Sequence, residues 1–99
     1  MDFHNALEER LHSAQGALGD LSLADASPRV MHLERLLRNV MANLQAMMAD
    51  IEAGCSWSDM GFFGDADLTD ALESFDVEIF SLKSLILTAK ILERCATDR

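Results

Sequence analysis

Residues 79–92 read IFSLKSLILTAKIL. Ile79, Leu82, Ile86 and Ala89 recur at steps of three and four, which is the period of one helix face. The same face extends backward through Leu68, Leu72 and Phe75. A second apolar row, Phe80, Leu87 and Ile91, lies about 100–140° round the axis at about 100° per residue. A third, Leu85 and Leu92, occupies the other flank. A helix packed on one side needs one apolar stripe, whereas a helix with several is surrounded. The spacing therefore predicts a long, amphipathic third helix over about residues 67–96, with more apolar surface than two neighbouring helices can cover.

Working outward, Asp65 and Asp67 stand where an N-cap and dipole-complementing acids belong. Before them, Gly54 to Gly64 reads GCSWSDMGFFG, an irregular aromatic loop assigned to residues 54–65. Gly54 stops a second helix over about residues 28–53, opened by Ser27-Pro28, a capping serine followed by a proline that needs no amide partner. Val30, Leu33, Leu37, Val40, Leu44, Met47 and Ile51 form its seam, widened by Leu36, Met41 and Met48. A first helix over about residues 3–18 carries Phe3, Leu7, Leu11, Ala14 and Leu18 on one face, with Asp2 as its cap and Gly19 as its terminator. Leu21 and Leu23 in the following linker are expected to tuck against the bundle.

The resulting expectation is an all-α, single-domain chain of three amphipathic helices. The second and third form a long antiparallel hairpin, and two copies join their hairpins into a four-helix-bundle core with the first helix packed outside. A two-fold homodimer is the simplest closed way to cover the third helix. Its predicted interface is Ile79, Phe80, Leu82, Leu85, Ile86, Leu87, Ile91 and Leu92.

Composition agrees with a folded domain: 99 residues, 49% apolar and 25% charged. The net charge is −9, unevenly spread. Asp59, Asp65, Asp67, Asp70, Glu73 and Asp76 are unrelieved by any base between Gly54 and Asp76, whereas Val77 to Arg99 has four bases against three acids. Such a surface repels phosphate backbones and anionic lipid, so neither nucleic acid nor membrane is an expected partner. A basic protein partner suits it better. No secretory leader is read at the start of the chain, because Asp2, Glu8 and Glu9 stand where basic and apolar residues are required. Two cysteines, Cys55 and Cys95, imply no disulfide framework, and the expected location is the cytoplasm of a bacterium.

Several motifs bear on chemistry. His4, Glu8, Glu9 and His12 have spacings compatible with metal ligation, but helical geometry turns Glu8 and His12 away from the apolar face, and no second Glu-x-x-His exists. Asp65, Asp67, Thr69, Glu73 and Asp76 follow the oxygen-bearing positions of a calcium loop, yet Asp70 replaces the turn glycine and Asp76 the terminal glutamate. No metal and no cofactor is therefore expected. Cys55 has no basic neighbour in sequence to activate it, and Cys95 sits where it could meet its symmetry mate in a dimer.

His32 opens the run HLERLLRN on the second helix, residues 32–39. A helix-borne histidine in a dimeric bundle is similar to the phosphoacceptor domains of bacterial sensor kinases. That resemblance implies phosphotransfer through His32. It covers about eight residues, without the acid directly after the histidine or the following proline. In bulk properties, an acidic helical dimer of this size also resembles secretion chaperones and anti-activator proteins, which implies a non-enzymatic adaptor, regulator or small chaperone. Trp57, Met60, Phe62 and Phe63 then form a possible partner-binding loop, because these residue types anchor interfaces. The alternative role for the same loop is a plug that closes the end of the bundle.

Overall fold

The computed structural model describes residues 2–22 and 27–97. Three helices account for nearly all of them: α1 (Phe3–Ser22), α2 (Pro28–Glu52) and α3 (Asp65–Thr97). No strand occurs among the described residues.

Each helix begins or ends for a local reason. Asp2 Oδ1 accepts from the Asn5 amide at 3.0 Å, filling an orphan donor at the start of α1. Ser27, in extended conformation, does the same for Val30 at 3.2 Å, with Pro28 as the first helical residue of α2. At the end of α2, Gly54 takes φ +82°, a conformation open to a residue without Cβ. Its amide donates to Ile51 O and that of Cys55 to Asp50 O, both at 3.0 Å, the paired bonds of a Schellman motif.

Gly19 does not end α1. The helix continues three residues beyond it to Ser22, and Gly19 keeps a negative φ. The reason is Leu21, only 2% exposed: one further turn places this leucine in the core, and its burial outweighs the glycine's weak helical preference of about 1 kcal/mol. Leu23 lies outside the described residues. The third helix starts slightly earlier than its sequence suggests, so Asp65 belongs to its first turn rather than to the loop.

All three helices share one core. Phe3, Leu7, Leu11, Ala14, Ala17 and Leu21 meet Val30, Leu33, Leu37, Val40 and Leu44, together with the whole predicted α3 seam from Leu68 to Ala89. Met47 and Ile51 complete the α2 seam as half-buried residues, and Leu36, Met41 and Met48 pack beside it. Among the described residues no polar or charged side chain is buried, so the core is held by apolar area alone. α1 is thus an integral third of the bundle. It does not pack outside an α2–α3 hairpin, because its own apolar face fills the space between the other two.

The polar cross-links sit at the edges. Arg10 Nη2 donates to Asp76 Oδ2 at 3.1 Å, tying α1 to α3. Its Nε also approaches Oδ1 at 3.1 Å, but without the alignment to donate. With Asp76 largely exposed, this pair contributes about 1 kcal/mol or less. Lys83 Nζ donates to Ser13 Oγ further along the same seam.

Length produces an overhang. At about 1.5 Å per residue, α3 is roughly 50 Å long, whereas α1 is roughly 30 Å and α2 roughly 37 Å. Among the described side chains of α3, Ala89 is the last in the core, and Ile91 and Leu92 are already exposed beyond it.

Candidate interaction surfaces

Among the described residues, the large exposed apolar side chains gather on two surfaces, with Met31 of α2 standing apart from both. The first is the outer face of α3. Phe80 is 72% exposed, Leu87 60%, Ile91 53%, Leu85 50% and Leu92 48%, and Val77 joins them at 66%. The other three predicted interface residues, Ile79, Leu82 and Ile86, are buried in the chain's own core. They belong to the seam that faces α1 and α2, and only the two flanking rows remain open. Val77 was not singled out by periodicity, since it lies between the rows, on the side opposite the core.

Beside this face runs a groove of about 530 Å³ between α2 and α3. Leu36, Val40, Val77, Leu82 and Leu85 contribute its apolar lining, and Asn39, Asn43, Glu78 and Ser81 its polar lining. It continues the apolar character of the α3 surface towards α2.

The second surface is the aromatic end. The loop is more ordered by its own backbone than its glycines suggest. Ser56 Oγ accepts from the Asp59 amide at 3.2 Å, starting one short turn, and Gly61 at φ +89° ends it. Gly61 N donates to Ser58 O at 3.1 Å and Phe62 N to Trp57 O at 2.7 Å, a second Schellman pair. The apolar contact that often accompanies this motif is present as Trp57 against Phe62, with ring centroids 6.4 Å apart. Both rings meet Phe3 edge-on, at 5.6 Å each, and Phe3 is 2% exposed.

The four loop residues therefore divide. Phe62 is half-buried and packs against the core, and Trp57 covers Phe3 while remaining 42% exposed. Met60 is half-buried. Phe63 is 82% exposed, and its amide is held by Asp67 Oδ2 at 2.8 Å. Trp57 and Phe62 plug the bundle, and Phe63 stands free on its rim. The sequence signals for the short turn were Ser56 and Gly61, a cap residue and a terminator five positions apart.

The candidate ligands do not converge. His4 Nε2 lies 3.0 Å from Glu52 Oε1 on α2, whereas His12 Nε2 lies 3.8 Å from Glu8 Oε1 on α1 itself. Asp65, Asp67, Thr69, Glu73 and Asp76 are strung along α3 instead of lining a loop, with Asp76 committed to Arg10 and Asp67 to Phe63. Among the described residues no three His, Cys, Asp or Glu side chains gather as a metal site. His32 and Cys55 are exposed, and the side chain of Cys95 lies outside the described residues. No described helix is long and apolar enough to cross a membrane. No protein-family model, curated protein or solved structure matches this chain.

Proposed function

We propose that this chain is a non-enzymatic helical interaction module: a homodimer that serves as an adaptor, regulator or small chaperone for a protein partner in a bacterial cytoplasm. The observation that carries the reading is the outer face of α3, where six large apolar side chains stay about half or more exposed after the core is complete. Hiding about two-thirds of the exposed part of each contributes roughly 1–2 kcal/mol at about 25 cal/mol per Å². Over two copies that is on the order of 12–24 kcal/mol, against an association cost of about 4–15 kcal/mol. Self-association is therefore within reach of the available area.

The monomer core already occupies the inner faces of α2 and α3, so the four-helix arrangement takes a modified form. The two copies meet as finished three-helix bundles, through α3 and the neighbouring groove. Phe63 is left free on the rim and supplies a partner-facing anchor. The acids near it in sequence, including Asp59, Asp65 and Asp70, suit a basic segment of that partner.

Sedimentation velocity of the wild type and of Leu87→Asp tests the proposal. Leu87 is outside the core, so the variant should keep its helical circular dichroism and sediment as a monomer while the wild type sediments as a dimer. A wild type that remains a single, monodisperse subunit at high concentration refutes it.

A further inference from the structure

The outer face of α3 has an internal order that bears on how a second copy is received. Phe80, Leu87 and Ile91 form one exposed row and Leu85 and Leu92 the other, with Val77 at the near end. Between the rows run the small residues Ser81, Ser84 and Thr88. The Thr88 hydroxyl donates to Ser84 O at 3.0 Å, so its proton needs no water. The charged residues of this span lie on the shoulders. Lys83 donates to Ser13, Lys90 lines a groove with Asp20 of α1, and Glu78 lines the groove with α2. In a chain of net charge −9, the face itself is uncharged.

We infer that two copies pair along this face in antiparallel sense, with Ser84 of one copy opposite Ser84 of the other. The inference rests on the self-association proposed above and gives it a surface and a direction. Three observations carry it. The six exposed apolar side chains present roughly 600 Å² per copy, close to the roughly 800 Å² per partner of a stable interface, and the hydroxyl residues between them add to it. Small residues in the middle let the helix axes approach to roughly 9–10 Å while the large rows pack on either side, which sets facing Cα atoms roughly 4.4–5.4 Å apart.

Charge then selects the direction. The α3 segment before Val77 holds Asp65, Asp67, Asp70, Glu73 and Asp76, with no base. A parallel pair would set these five acids beside their own copies. An antiparallel pair sends them to the opposite end, where residues 90–94 of the sequence carry Lys90 and Arg94 against the single acid Glu93. Val77 and Ile91 each stand seven residues from Ser84, so a two-fold centred there places Val77 of one copy against Ile91 of the other.

Disulfide trapping in a background of Cys55→Ser and Cys95→Ser reads this geometry. At such an approach, facing Cα atoms lie within the roughly 4.4–6.8 Å that a disulfide spans. Ser84→Cys should convert most of the protein to a covalent dimer under mild oxidation. Val77→Cys alone should not, whereas Val77→Cys combined with Ile91→Cys should. Strong trapping by Val77→Cys alone would mean a parallel pair and overturn the inference. A background protein that sediments as a dimer but is not trapped through Ser84→Cys would also overturn it, while leaving self-association standing. A background protein that sediments as a monomer overturns both.

Discussion

Phe3→Ala removes the residue on which the aromatic end is built. The ring is 2% exposed and meets Trp57 and Phe62 edge-on, each at 5.6 Å. Truncating a buried phenylalanine destabilises by about 3–5 kcal/mol, of which the two edge contacts account for about 0.5–1.5 kcal/mol each. A domain of this length is stable by roughly 5–15 kcal/mol, so the variant loses a large part of its margin. At about 4–8 °C per kcal/mol, its melting temperature should fall by more than about 12 °C. Phe3→Leu keeps most of the apolar volume but loses both ring edges, and should fall short of wild type by about 1–3 kcal/mol. Urea unfolding measures both, followed by circular dichroism and by the fluorescence of Trp57, the single tryptophan. All samples need one protein concentration, because self-association would shift the midpoint. A loss below about 1 kcal/mol for Phe3→Ala would refute the plug, since an enclosed ring cannot be removed so cheaply.

Two further outcomes test the ends of the elements. Gly19→Ala should stabilise by about 0.5–1 kcal/mol in thermal melts, because the position is helical and nothing lies within 4 Å of the added carbon; destabilisation would restore Gly19 as a terminator. Phe63→Ala should alter stability by no more than about 0.5 kcal/mol, whereas Trp57→Ala should destabilise by about 1–3 kcal/mol in the same urea titration; equal effects would erase the division between rim and plug.

The fold was legible where apolar periodicity is unambiguous. Leu68 to Ala89 and Val30 to Leu44 enter the core as their spacing predicts, because a residue repeating every three or four positions has one face on which to lie. Periodicity could not say which of several apolar rows is the inner one. Ile79, Leu82 and Ile86 were grouped with Phe80 and Leu87, and only the positions of α1 and α2 separate them. Gly19 misled for a different reason. Its conformational freedom is a local property, and the burial that carries the helix past it belongs to Leu21. The packing of Phe3 on Trp57 and Phe62 joins residues more than fifty positions apart, beyond the reach of any local pattern.

The short turn between Ser56 and Gly61 is held by main-chain bonds and by the Ser56 hydroxyl oxygen, which accepts from the Asp59 amide. Phe63 is therefore a passenger on this frame, whereas Trp57 and Phe62 fasten the frame to Phe3. Replacing Phe63 changes what this end of the molecule touches, and the turn remains where it was. The surface that this rim presents can therefore change residue by residue while the scaffold beneath it stays the same.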